Sequence, residues 1–171
     1  MGIFNSIKNQ IGRDIGKSIS NVILKDAHAT PIRMTGNKSS TRRKNISVDE
    51  YEKKIKLIDL SQTPKTIIRK LGAVLVEFES DIKNYLADGF IDLKEEIELA
   101  KRFYKILDVF AKIEKQFTIN GEDTTRLIEI YQQYFKEPML MCIDKLKEQE
   151  SDNDLTSKYQ QLYTEIKSIA E

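Results

Sequence analysis

Apolar residues recur every three or four positions along most of this chain, and few residues interrupt the pattern. The 171 residues include only seven glycines and three prolines. Because an α-helix turns once in 3.6 residues, this spacing places the apolar side chains of each segment on one helix face. The clearest stripe is Ile67, Ile68, Leu71, Val74, Leu75, Phe78, Ile82, Tyr85 and Leu86. The pattern predicts an all-α protein.

A second stripe follows the first after a short break. It consists of Leu93, Ile97, Ala100, Phe103, Tyr104, Leu107, Phe110 and Ile113. Thr63-Pro64 is a typical helix start, Gly89 a typical stop, and Asp92 with Glu95 a capping pair for the next helix. Two helices of about 24 residues with a connection this short must fold back on each other. The sequence therefore predicts a long antiparallel helical hairpin.

The remaining body is also predicted to be helical. Ser47 with Glu50 forms a capping box, which predicts a helix from about Val48 to about Leu60. Asn120-Gly121 predicts a turn, and Pro138 is expected to kink or restart the helix that follows. Ser151 and Asp152 are candidate caps for a last helix with the seam Leu155, Tyr159, Leu162, Ile166 and Ile169. This seam either closes a bundle of about four to five helices or contributes to a coiled coil.

Charge divides the chain into a basic first part and an acidic body. Residues 1–47 hold nine Lys or Arg and two Asp or Glu, whereas the remainder holds 19 basic and 25 acidic residues. Their formal charges are therefore +7 and −6, which predicts that the first part meets a negatively charged surface. We divide the chain into a basic amphipathic helix (1–25), a flexible linker (26–47) with the basic run Arg42, Arg43 and Lys44, and a helical body (48–171).

The amphipathic helix carries an apolar face with a shoulder of small residues. We predict that it contacts a partner through Phe4, Ile7, Ile11, Gly12, Ile15, Gly16 and Ile19. Glycine inside a helix costs roughly 1 kcal/mol relative to alanine, so two glycines need a compensating contact. Close approach of another backbone is one such contact. Three burial modes remain open: packing on the protein's own bundle, docking on another protein or a second copy, or insertion in a membrane interface.

The chain offers little for catalysis. The single histidine, His28, lies in the linker, and the single cysteine, Cys142, lies on an apolar helix face beside Met139 and Ile143. We therefore expect Cys142 to be a core thiol and the protein to be no enzyme, with no cofactor and no small-molecule substrate. The run "SSTRRKN" has no interleaved aromatic residue, so nucleic acid is not the expected partner.

The stretch "NYLADGFIDLKE" (84–95) is the one candidate for a metal site. It resembles the second half of an EF-hand loop and is similar to a hairpin of tellurite-resistance TerB-like helical domains, which implies Asp88, Asp92 and Glu95 as ligands. The first half departs from the EF-hand pattern, because its first and third positions are Asn84 and Leu86. The alternative is a tight turn between helices, and we expect no metal.

The expected function is that of a non-enzymatic helical interaction protein. It would serve as an accessory, adaptor or assembly subunit of a bacterial or viral complex and dock through the N-terminal helix. A peripheral membrane protein anchored by the same helix is the first alternative, and a metal-binding helical domain is the second. The sequence has no continuous apolar run of the kind found in signal peptides or membrane spans, and it has a single cysteine. These features predict a cytoplasmic location, within an assembly or at a membrane surface.

Overall fold

The computed structural model describes residues 2–4 and 48–168. The body forms five helices: α1 (Val48–Lys56), α2 (Pro64–Leu86), α3 (Leu93–Asn120), α4 and α5 (Asn153–Ser168). Helix α4 runs without a break through an α-helical part (Thr125–Tyr131), a π-helical turn (Gln132–Lys136) and a second α-helical part (Glu137–Gln149). No described residue lies in a strand. The predicted all-α bundle is confirmed.

Helices α2 and α3 form the predicted antiparallel hairpin. Asp81 contacts Arg102, while Tyr85, one turn further along α2, contacts Glu98, one turn earlier in α3. Because the contacts move toward the end of α2 as they move toward the start of α3, the two helices run in opposite directions. The loop between the helices is held by α4, because the Gln149 amide bonds both backbone groups of Ile91.

Most predicted helix ends are confirmed, and two differ: α1 ends before Leu60, and α2 ends at Leu86, before the expected stop at Gly89. Asp92 and Glu95 form a complete capping box at the start of α3, and Gly121 ends α3 with a left-handed backbone. Helix α1 ends at Lys56 rather than near Leu60, because its last carbonyls are closed by tighter three-residue turns. The cap predicted from Ser47 lies outside the described residues.

Helix α4 passes Pro138 without restarting. Proline has no N–H for an ordinary helical bond and its ring needs room in the preceding turn. The π-helical turn directly before it supplies that room, with the Glu137 N–H donating to the carbonyl of Gln132, five residues back. The wide turn therefore lets one helix span 125–149.

An aromatic column fills the centre of the bundle. Phe103 stacks on Phe135 with ring centroids 4.9 Å apart, and Phe78 approaches the same ring at 5.2 Å. Tyr131 and Phe110 continue the column at 5.4 Å from each other. Rings offset or tilted at these distances attract each other beyond the free energy of burial alone. The column therefore ties α2, α3 and α4 together.

Helix α5 closes the bundle against α4. Ile166 is fully buried, and Tyr159, Leu162 and Tyr163 are partly buried against the core. The Tyr159 hydroxyl donates to Glu96 of α3, which holds α5 on the hairpin as well. The predicted seam thus packs inside the protein; its last residue, Ile169, lies outside the described residues.

Candidate functional site

Phe4 reaches the far end of the aromatic column. Its side chain is fully buried, with its ring centroid 5.1 Å from Phe110 of α3 and 5.1 Å from Tyr131 of α4. The ring stacks on Phe110 and meets Tyr131 edge to face. Phe4 therefore belongs to the same core as Phe110 and Tyr131, which lie more than a hundred residues further along the chain.

Glu114 binds the backbone beside Phe4. Its two carboxylate oxygens accept from the N–H groups of Ile3, at 2.7 Å, and Phe4, at 2.9 Å. Both residues are helical, and the first N–H groups of a helix have no partner within the helix. A carboxylate at this end also interacts favourably with the helix dipole. Glu114 is itself buried, so these bonds replace the water that its charge would otherwise need.

Gly2 permits this close approach. A Cβ atom built on Gly2 would lie 2.3 Å from Oε2 of Glu114 and 2.6 Å from its Cδ. Any other residue would push the carboxylate away from the two N–H groups that it accepts. We call residues 2–4 the N-terminal anchor, and Phe110, Glu114 and Tyr131 the anchor pocket.

Phe4 is the one residue of the predicted partner surface that the structure describes with its side chain, and it is fully buried. Its side chain contacts the protein's own core and is not free to meet a partner in this conformation. The other predicted contact residues, Ile7, Ile11, Gly12, Ile15, Gly16 and Ile19, lie outside the described residues, as do Arg42, Arg43 and Lys44 of the linker.

A second buried polar group joins α1, α2 and α3. Arg102 is only 1% exposed, and its Nη1 donates to Oδ2 of Asp81 at 2.9 Å and to the Tyr85 hydroxyl at 2.7 Å. Tyr51 of α1 donates to the same Asp81 oxygen at 3.0 Å, and its ring lies 4.8 Å from the guanidinium carbon. Burial raises the pKa of Tyr51 and of Tyr85, so both phenols stay protonated.

These buried charges were missed by reasoning from the sequence. The carboxylates Glu77 and Asp81 share a helix face, and such a pattern is typical of a solvated face that pairs with Lys or Arg one turn away. Neither carboxylate follows this pattern. Asp81 is buried against Arg102, and Glu77 pairs with Lys54 of α1. The position of Asp81 in the sequence could have indicated its burial, because it lies one turn from both Phe78 and Tyr85 in the apolar stripe of α2.

The carboxylates of the 84–95 loop are used as turn and cap acceptors. Asp88 accepts from the N–H of Phe90, while Asp92 and Glu95 each accept from the other's backbone N–H. Gly89 has a left-handed backbone with φ of 73°. Within the described ranges, no three His, Cys, Asp or Glu side chains are grouped as a metal site would require. The geometry therefore favours the turn between helices over the metal site.

Cys142 is confirmed as a core thiol. It is fully buried and unpaired in α4, and burial raises its pKa to about 12. A thiol with this pKa carries almost no thiolate at neutral pH and is a poor nucleophile. His28, the other residue weighed for catalysis, lies outside the described residues.

Fold and site together define a five-helix all-α body with a built pocket for the N-terminal anchor. Comparisons of the chain with protein-family models, with curated proteins and with solved structures give no match. Among the residues that the structure describes, no helix is both long and apolar enough to cross a membrane.

Proposed function

We propose that this protein is a non-enzymatic helical interaction protein that binds a protein partner through residues 5–47, which we call the basic segment. The observation that carries the proposal is the N-terminal anchor. Phe4 and Glu114 hold the chain on the bundle immediately before the basic segment begins. A segment held in this way is presented from a defined place on the body rather than from a free end.

The other end of the basic segment is held by α1. Tyr51 bonds to Asp81, and two ion pairs, Lys54–Glu77 and Glu52–Lys105, join α1 to α2 and α3. All nine basic residues of the first 47 lie between these two attachment points. Fixing both ends reduces the conformational entropy that the segment loses on binding, which favours affinity.

The small-residue shoulder supports a protein rather than a lipid partner. On a helical projection Gly12 and Gly16 lie beside the apolar residues Ile11 and Ile15. The backbone of a partner helix can approach closely where these glycines leave no side chain in the way, whereas lipid tails conform to any surface. The net charge of +7 further indicates a partner with an acidic surface.

A pair of double variants tests the proposal. The full chain, tagged after its last residue, is used to capture partners that are then identified by mass spectrometry. Gly12→Leu with Gly16→Leu should abolish capture by steric clash. Ser6→Leu with Gln10→Leu adds similar apolar area away from the shoulder and should leave capture unchanged. Both variants are also mixed with vesicles of phosphatidylcholine and phosphatidylserine.

Two results would contradict protein docking. If the glycine variant keeps its partners and gains vesicle binding, the protein is a peripheral membrane protein. If it instead lowers the melting temperature of the bundle and the control variant does not, the apolar face of the basic segment packs on its own body.

A further inference from the structure

Helix α1 lies on the hairpin of α2 and α3 through few apolar contacts. Among the α1 side chains that the structure describes, residues 50–56, only Tyr51 is fully buried, and Ile55 is partly buried. Helix α2, by contrast, buries eight of its 23 residues. Because buried apolar surface is the main source of stability, a helix held by so little of it can open locally while the rest of the protein stays folded.

Two ion pairs add little to this contact. Lys54–Glu77 joins α1 to α2, and Glu52–Lys105 joins α1 to α3. All four side chains are 31–41% exposed, and ion pairs with this exposure to water contribute little free energy. The two pairs therefore orient α1 on the hairpin without preventing its detachment.

The hairpin keeps its buried charge pair without α1. Nη1 of Arg102 bonds to Asp81 and to the Tyr85 hydroxyl, and all three residues belong to the hairpin itself. Tyr51 only adds a second donor to the same Asp81 oxygen. When α1 leaves, water can replace this donor and Arg102 retains its carboxylate. The opening therefore leaves no buried charge unpaired, which is the usual cost of breaking such a network.

The connection from α1 to α2 supplies a hinge. Leu57 and Ile58 close three-residue turns on the carbonyls of Lys54 and Ile55. Lys70 of α2 donates to the Leu57 carbonyl at 2.7 Å. The last turn of α1 is thus held on α2, whereas its first turn continues directly from the basic segment.

We propose that α1 is a strap, which detaches from the hairpin as a unit while α2, α3 and α4 stay folded. With the strap closed, the basic segment is fixed at both ends. With the strap open, the segment is held at the N-terminal anchor alone and is extended by the nine residues of α1. This role of the strap rests on the proposed function, because it controls how the basic segment is presented to a partner.

Hydrogen exchange of the full chain, followed by mass spectrometry, measures the opening. Amides of residues 52–56, which are bonded within α1, should exchange about tenfold faster than amides in the middle of α2 and α3. Low urea should leave the α1 rate nearly unchanged, because a local opening exposes little new surface, and should raise the α2 rate. Exchange of α1 at the same rate as α2, with the same response to urea, would overturn the strap.

Two conservative variants locate the contact that closes the strap. Tyr51→Phe keeps the ring and removes its bond to Asp81, so α1 should exchange about tenfold faster while α2 and α3 are unchanged. Tyr85→Phe is the matched control, since it removes a phenol of the same network from within the hairpin. It should speed exchange in α2 and α3 and leave α1 unchanged. Equal acceleration of all three helices by both variants would show that α1 opens only in global unfolding and would overturn the proposal.

The exchange measurement needs no partner, so its failure is distinguishable from failure of the proposed function. Local exchange of α1 in a protein that captures no partner supports the strap and counts against the proposed function. Exchange of α1 only with the whole bundle, in a protein that captures its partner, overturns the strap and leaves the proposed function standing.

Discussion

At the scale of single residues, the buried charge of Arg102 depends on Asp81. A buried charge is tolerated only when it is paired and hydrogen-bonded, and here the guanidinium bonds to a carboxylate and a phenol. Asp81→Asn removes the closest negative charge at nearly constant volume and leaves Arg102 with only the Glu98 carboxylate, 3.9 Å from its Nη2. We expect the free energy of unfolding, measured by urea titration, to fall by about 3–5 kcal/mol.

The control for Asp81 removes both charges. Asp81→Leu combined with Arg102→Met replaces the pair by apolar side chains, which is often neutral in buried sites. The double variant should therefore be more stable than Asp81→Asn alone. A double variant that loses as much stability as the single one would show that the geometry of the network, rather than the unpaired charge, decides the effect.

Cys142 gives a prediction about pH at the same scale. Its pKa is about 12 in the folded protein against 9.0 for an exposed thiol, because burial disfavours the thiolate. The contribution of the buried neutral thiol to the free energy of unfolding is therefore complete below pH 9 and is lost as the pH rises through about 12. At pH 8 we expect iodoacetamide to alkylate Cys142 only in urea. The alkylation is measured by mass spectrometry. Rapid alkylation of the folded protein would show that α4 opens readily.

At the scale of helices, two glycines have left-handed backbones in the connections: Gly121 caps α3, and Gly89 lies in the turn three residues after the end of α2. Gly89 has φ of 73° and Gly121 φ of 68°, and a Cβ on either would meet no atom within 4 Å. Alanine at these positions would therefore cost only the strain of a left-handed backbone, about 1–2 kcal/mol. Thermal unfolding of Gly89→Ala and Gly121→Ala measures this cost.

Gly72 provides the matched control within α2. Its surroundings are equally open, but it lies inside a helix without a positive φ. Alanine there should raise the stability by about 0.5–1 kcal/mol, because glycine is the weaker helix former. If all three substitutions change stability in the same direction, backbone conformation does not explain the role of Gly89 and Gly121.

At the scale of the whole molecule, the N-terminal anchor makes residues 2–4 part of the body's core. Phe4→Ala leaves a cavity between Phe110 and Tyr131, so we expect the free energy of unfolding to fall by about 3–5 kcal/mol. Ile3→Ala is the control, since Ile3 is 44% exposed and its backbone bond to Glu114 survives. A similar loss from both substitutions in chemical denaturation would contradict burial of Phe4 as the cause.

The sequence by itself determined the helices, because their signals are local. Apolar spacing, the capping box of Asp92 and the stop at Gly121 each act within a few residues, and the structure confirms them. The hairpin of α2 and α3 follows from the shortness of the loop between them. The stripe predicted for α3 was partly misplaced, since Leu99, Ile106 and Val109 are also buried whereas Tyr104 is 42% exposed.

Only the tertiary structure decided which charged residues are buried and where the anchor binds. Asp81 meets Arg102 across 21 residues of sequence, and Glu114 meets Phe4 across 110. No local pattern encodes such a pair, because each partner is ordinary in its own helix and the free energy appears only when both leave water together. The candidate site therefore came from the packing of distant segments.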